Sequence, residues 1–334
     1  MNLLVLFSLF WSLQSSPVNN APKAQIFEPG VITKPEAWSF TPTFSQDGQA
    51  LVYARWDNPD YTKGDQSIQK LYVSRKKNGR WTMPKTILET SGSRVDWPHF
   101  SPDGKHFLLS YNKYHAGQYD FPNQKKWDDF DLWIADCDAS GKIDWDTFKP
   151  IQGSDINRAK TPQNARIRYV HNETSPRMDL EGNLYFWSER LDQGIGRRDI
   201  YYVPVTSKNP LSWGKTELLL RPINSTYKES GVCISNDGQW MIFASERPGG
   251  LGQSDLYFAK KEKNKWMDPI LLGPAVNTMY GEGGPQLSPD NQTLYFTSSR
   301  PIPGVKAPNP GEGQRVFQAI YFIEIADIPA IDLP

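Results

Sequence analysis

A short turn, Asp237-Gly238, recurs along this chain with the same kinds of segment on either side, and this repetition restricts the fold more than any other feature. Its counterparts are Asp47-Gly48, Asp103-Gly104, Glu181-Gly182 and Asp290-Asn291, with second positions at 48, 104, 182, 238 and 291. Before each turn stands a short run such as Cys233-Ile234-Ser235, and four copies carry a proline just ahead of it, at Pro42, Pro98, Pro176 and Pro285. After each turn comes an alternating or apolar run, as in residues 241–245. Glycine accepts the positive φ of a tight turn at little cost, so Asp-Gly between two such runs predicts a hairpin. A third run follows in every copy, for example Leu256-Tyr257-Phe258, and Trp81, Trp145, Trp213 and Trp266 announce a fourth in all but the last.

Each copy therefore reads as a four-stranded antiparallel meander the size of one propeller blade, and the expected fold class is all-β, a single β-propeller over residues 25–334. Five blades are favoured, with six as the alternative. The long interval between positions 104 and 182 is where a sixth could hide, but its surplus, residues 152–171, is polar and shorter than a blade. Residues 26–33, Ile-Phe-Glu-Pro-Gly-Val-Ile-Thr, resemble residues 271–278, Leu-Leu-Gly-Pro-Ala-Val-Asn-Thr, at the end of the fourth copy. The N-terminal segment is thus expected to supply the outer strand of the last blade, closing the ring and hiding its edges.

The pattern Pro-x-Phe-Ser-Pro-Asp-Gly, then Ser-x-Arg, then Asp-Ile-Tyr resembles the PD40, or WD40-like, TolB-type propeller repeats. The match is close at residues 98–104, 245–257 and 285–300, and spans about residues 40–325. The resemblance implies an exported propeller that binds a partner in the cell envelope.

Residues 3–13 form an apolar run too short to cross a bilayer and of the length of an export-signal core, so residues 1–24 are expected to be a signal peptide. No Lys or Arg precedes that run, which departs from the usual pattern. The mature chain is expected to be periplasmic or secreted, without a transmembrane segment, and monomeric. Lys plus Arg equals Asp plus Glu at 37 each, so no nucleic-acid partner is expected. Cys137 and Cys233 fall on strands of non-neighbouring units, and two buried free thiols are expected rather than a bridge.

In a meander blade, the approach to the innermost strand and the loop between the second and third strands share one face of the ring. That face gathers Asp96, Glu173, Glu229 and Glu282 near the channel, with Arg55, Arg190, Arg247 and Arg300 just past the second strands. Arg190 and Arg247 are expected to bridge to Asp199 and Asp255 within their own hairpins. Arg55 and Arg300 lack that partner, because Lys70 and Ala319 stand in its place, and so are the arginines expected to meet a ligand, or a Glu of the next blade. Loops 56–69, 112–130 and 301–318 rise on the same face, the middle one bringing Tyr119 and Trp127, which suit stacking on a sugar or gripping a peptide.

Residues 136–144 match the first nine positions of an EF-hand calcium loop, with candidate oxygens on Asp136, Asp138, Ser140 and Asp144. Thr147 stands where the bidentate Glu belongs, so a decorated turn is favoured and no cofactor is expected. The function expected is non-enzymatic binding of a peptide, protein or glycan at the channel mouth. The alternative is a glycoside hydrolase or polysaccharide lyase using the channel carboxylates.

Overall fold

The structure, a computed structural model, describes residues 23–57, 69–89, 94–112, 130–153, 155–158, 172–190, 192–302 and 318–333. Tyr119 and Trp127, and all but the last two residues of the expected signal segment, lie outside the described residues.

Five antiparallel sheets follow one another around a ring as the blades of a propeller. Blade one comprises Ala37–Phe44, Ala50–Asp57, Gln69–Lys77 and Lys85–Leu88. Blade two comprises Arg94–Phe100, His106–Asn112, Asp131–Cys137 and Ile143–Pro150. Blade three is built from Glu173–Met178, Leu184–Ser188, Asp199–Val203 and Glu217–Leu218, and blade four from Glu229–Ile234, Trp240–Ser245, Asp255–Glu262 and Ile270–Leu271. Blade five takes Glu282–Leu287, Thr293–Ser298 and Ala319–Glu324 from the C-terminal end and Gln25–Ile26 from the N-terminal end.

The closure follows the sequence likeness between residues 26–33 and 271–278 in detail. Phe27 donates its N–H to the Ile320 carbonyl at 2.8 Å, as Leu272 does to Leu256 at 3.1 Å. Glu28 (φ 43°) then takes the left-handed turn that Gly273 (φ 74°) takes in blade four. The tryptophans Trp81, Trp213 and Trp266 differ from expectation: Trp81 and Trp266 sit on two-residue ribbons paired with the end of the third strand, Trp213 on a separate two-stranded ribbon with Val205–Lys208, and the fourth strand proper begins after each.

A blade has a neighbour on both faces, and that explains why the second strands are apolar throughout instead of alternating. Trp240, Ile242 and Ala244 pack with Leu287, Leu294 and Phe296 of blade five, whereas Met241 and Phe243 pack with Tyr185 and Trp187 of blade three. Successive side chains of one strand thus serve successive interfaces. The same alternation recurs around the ring, and Phe27 and Ile32 join Phe44, Tyr53 and Ile320 where blade five meets blade one. Cys233 is buried and Cys137 half-buried, both as free thiols, so only the first fits the expectation of burial.

The Asp-Gly turns lie on the lower face. In blade four Ser235 Oγ donates to Asp237 Oδ1 at 2.6 Å, Gln239 N–H donates to the same oxygen at 3.0 Å, and Gly238 has φ +67°. Ser45 with Asp47, Ser101 with Asp103 and Ser288 with Asp290 repeat the hydroxyl bond.

Candidate binding site at the channel mouth

Every innermost strand carries an irregularity at the same place, where its register against the second strand slips. At that slip stands a residue of positive φ: Thr41, Trp97, Ser175, Gly231 and Gly284, at 50°, 53°, 60°, 55° and 57°. These five β-bulges turn the strand as it enters the channel and set the register of everything around the mouth. Two residues before the bulge lie Ser39, Val95, Glu173, Glu229 and Glu282; one residue before it lie Phe40, Asp96, Thr174, Ser230 and Gly283. The acids singled out from sequence therefore divide between two columns that face different ways.

The glutamates belong to a closed structural unit. Glu229 accepts from Ser225 N–H (2.9 Å), Ser225 Oγ (2.7 Å), Ser245 Oγ (2.8 Å) and Arg247 Nη2 (3.2 Å). Glu282 repeats this set with Thr278, Ser298 and Arg300, and Glu173 with the Arg158 N–H, Ser188 and Arg190. Each arginine also donates to a main-chain carbonyl of the preceding connection, at Ile156, Ile223 and Val276, and lies over two aromatic rings of its own blade. Burial pushes the Glu173 carboxyl up, against the pull of Arg190.

The expected pairings are thereby corrected. Arg190 and Arg247 take Glu173 and Glu229, not Asp199 and Asp255. Those aspartates instead accept main-chain N–H groups of their own loops, Gly196 for Asp199, and Leu251 and Gly252 for Asp255. Arg300 is engaged like its two counterparts. Arg55 is opposite Ser39 within the second strand, the register position that Ser245 holds opposite Glu229, so it is not a counterpart of Arg300. Its Nε lies 2.7 Å from Asp57 and its guanidinium stacks 3.7 Å from the Tyr72 ring centre.

Asp96, one column over, faces the mouth. Its Oδ1 accepts the Trp97 N–H at 2.7 Å and the Thr41 hydroxyl at 3.1 Å, and burial raises its pKa to about 6 despite those bonds. The cleft there, ≈ 370 Å³, is walled by Trp38, Phe40, Trp56, Gln69, Ser230, Ser254, Thr297, Ser299 and Gln318, with Asp96 and the largely buried Glu282 as its acids and Arg94 as its cation. Trp97 forms its floor. A Cβ on Gly231 would lie 3.2 Å from Cη2 of that indole and one on Gly284 3.7 Å from Cζ3, so the ring reaches from blade two across to blades four and five. Gly231 and Gly284 serve both requirements of their column, positive φ and room for the indole.

Trp38, Trp56 and Trp97 of this cleft were not nominated from sequence. The available signal was a column that reads Thr, Trp, Ser, Gly and Gly, in which one copy carries the largest side chain where two have none.

Of the calcium-loop candidates, Asp138 Oδ1 accepts from the N–H groups of Ser140 and Lys142 and from Ser140 Oγ, Asp144 Oδ1 accepts from Asp146 N–H, and Asp136 lies 3.3 Å from His106 Nδ1. Asp138 Oδ1 and Asp144 Oδ1 thus brace their own turns. Among the described residues no three His, Cys, Asp or Glu side chains gather as metal ligands would, and no described helix is long and apolar enough to cross a membrane.

No protein-family model matches the chain, and no curated protein matches it in sequence. Among solved structures, an α-L-arabinofuranosidase from Lactobacillus brevis is similar over 87% of this chain and 92% of its own, at 10% identity and a TM-score of 0.50. A family 117 glycoside hydrolase of Zobellia galactanivorans is similar over 94% and 91%, at 12% identity and a TM-score of 0.49. TolB from Acinetobacter baumannii is similar over 86% of this chain, at 15% identity and a TM-score of 0.46, and this chain spans 54% of it. At such identities a likeness extends to the propeller fold alone.

Proposed function

We propose that the protein is an exported, non-enzymatic propeller that binds a glycan of the cell envelope in the cleft floored by Trp97, in preference to a peptide or protein. The observation that carries this reading is the lining of that cleft. Flat aromatic groups alternate with neutral hydrogen-bonding groups, Gln69, Ser230, Ser254, Thr297, Ser299 and Gln318, around one partly exposed acid, Asp96, and one cation, Arg94. Sugars present that chemistry in reverse, with apolar ring faces for stacking and hydroxyls at the edge. A peptide or protein ligand would draw less from a mouth whose repeated charges are turned inward.

Binding is favoured over hydrolysis for a related reason. A glycosidase needs two carboxyl groups set across the bond it cleaves. Here the three repeated glutamates are each held by hydroxyl, amide and guanidinium donors within the blade, which leaves Asp96, among the described residues of the cleft, as the acid directed at a ligand. The repeat pattern supports placing the chain among the PD40-type, TolB-like propellers, and the apolar run at residues 3–13 supports export.

Titration calorimetry of the mature protein against envelope-derived oligosaccharides and peptides tests the assignment. A saturable signal with an oligosaccharide that is lost in Trp97→Ala is expected. Peptide binding alone, or reducing-sugar release that disappears in Asp96→Asn, would overturn it.

A further inference from the structure

Beneath Trp97 the channel narrows to a second, smaller cavity of ≈ 40 Å³ that faces the Asp-Gly turns of the lower side. The residue two beyond each bulge points into it, a ring of Thr43, His99, Arg177, Cys233 and Gln286. Arg177 is 1% exposed. Its Nη1 donates to the neighbouring Pro176 carbonyl at 2.7 Å, while Nε and Nη2 have no hydrogen-bonding partner among the described residues. Burial lowers its pKa to about 10, so it stays charged at neutral pH.

We propose that this cavity is a binding site for a small monovalent anion of the size of chloride, held by the guanidinium of Arg177. A buried cation requires a counter-charge or donors' partners, and the ring supplies no carboxylate. The two acids whose fields reach Arg177 are Cys233 and Asp96. Burial pushes the Cys233 thiol up to about 11, so it is neutral at physiological pH. Asp96 Oδ1 is engaged at the mouth by Thr41 and the Trp97 main chain. The indole of Trp97, 5.9 Å from the guanidinium carbon, lies between the two cavities.

A second donor comes from Gln286. His99 Nε2 accepts the Met178 N–H at 3.0 Å, so the imidazole proton sits on Nδ1 and points to the Gln286 amide 3.4 Å away. A donor there needs an acceptor, which places the amide oxygen toward His99 and directs the NH₂ to the position of the otherwise unpartnered amide atom. The Arg177 and Gln286 side chains thus present N–H groups, and Cys233 a thiol, around one small space. The volume exceeds that of a single water site but excludes a sugar or a phosphate ester.

The test uses the intact mature protein and sodium halides as probes. Thermal unfolding in chloride or bromide, against gluconate at equal ionic strength, should show a saturable rise in Tm of about 4 °C. Arg177→Gln should abolish the halide-specific part, and bromide-soaked crystals should give an anomalous peak within hydrogen-bond reach of Arg177. Equal Tm in halide and gluconate, or no bromide peak at Arg177, would overturn the proposal even if the variant does not fold, because both arms use the wild-type protein. Stronger stabilisation by acetate or sulfate than by chloride would overturn the assignment of size.

Discussion

Arg300 and Glu282 form a 3.2 Å ion pair in the last blade that repeats between Arg247 and Glu229 in the blade before it. In both, the glutamate is fully shielded and the arginine spans to a carbonyl of the preceding connection, so the pair ties the entry of a blade to the end of its second strand. Removing one partner leaves the other charge buried. Arg300→Met is therefore expected to cost about 3 kcal/mol in urea unfolding. A loss below about 1 kcal/mol would show that the arginine is free for another role.

Trp97 holds φ +53°, a conformation that costs a side-chain-bearing residue about 1 kcal/mol. Such strain persists only where the surroundings impose it, and here the Asp96 carboxylate grips the strained N–H at 2.7 Å. Trp97→Gly should lose ligand as fully as Trp97→Ala yet be the more stable of the two by about 1 kcal/mol. Parallel calorimetry and urea curves check both halves. Equal stability of the two variants would remove the argument from strain.

How much of this was legible in the chain depends on period and register. Repeats of Asp-Gly and apolar runs report turns and strands directly, and so the blades, their order and the N-terminal closure could be read from residues 26–33 and 271–278. The site was harder, because a side chain's direction changes with a shift of one residue. Asp96 stands two before its proline and Glu173 three before, and that single step separates a mouth-facing acid from one locked inside a blade. Arg55 looked like Arg300 because both follow apolar runs, but the pairing partner of Ser39 could be known only from the sheet. Arg247 fails as a partner of Asp255 for a related reason: the loop between them folds back so that its own N–H groups meet the aspartate first.

Asp96 gives the mouth a pH dependence. Its pKa of about 6 lies above the ordinary 3.8, so the folded protein holds the proton more tightly than the unfolded chain. The associated stability is complete below the unfolded value and lost as pH rises through the folded one. Asp96→Asn should thus match the wild type near pH 4 and exceed it by about 2 kcal/mol above pH 7. Urea midpoints taken across that range decide the matter, and a difference that does not grow between pH 4 and pH 7 would rule the mechanism out.

The glycines of the loop between the second and third strands give a sharper contrast. Gly252 approaches the next blade so closely that a Cβ would lie 1.8 Å from the Tyr280 carbonyl and 2.5 Å from that of Thr278, and Gly196 meets Tyr227 in the same way at 1.9 Å. These contacts are with main chain, which cannot rotate away. Gly249 has φ +95° but open space around its Cβ direction. Gly249→Ala should therefore cost about 1 kcal/mol, the conformational penalty alone. Gly252→Ala must push blades four and five apart and should cost about 3 kcal/mol or more, with hydrogen exchange accelerated in residues 278–284. If the two substitutions proved equally mild, the close approach would not be what fixes glycine at position 252.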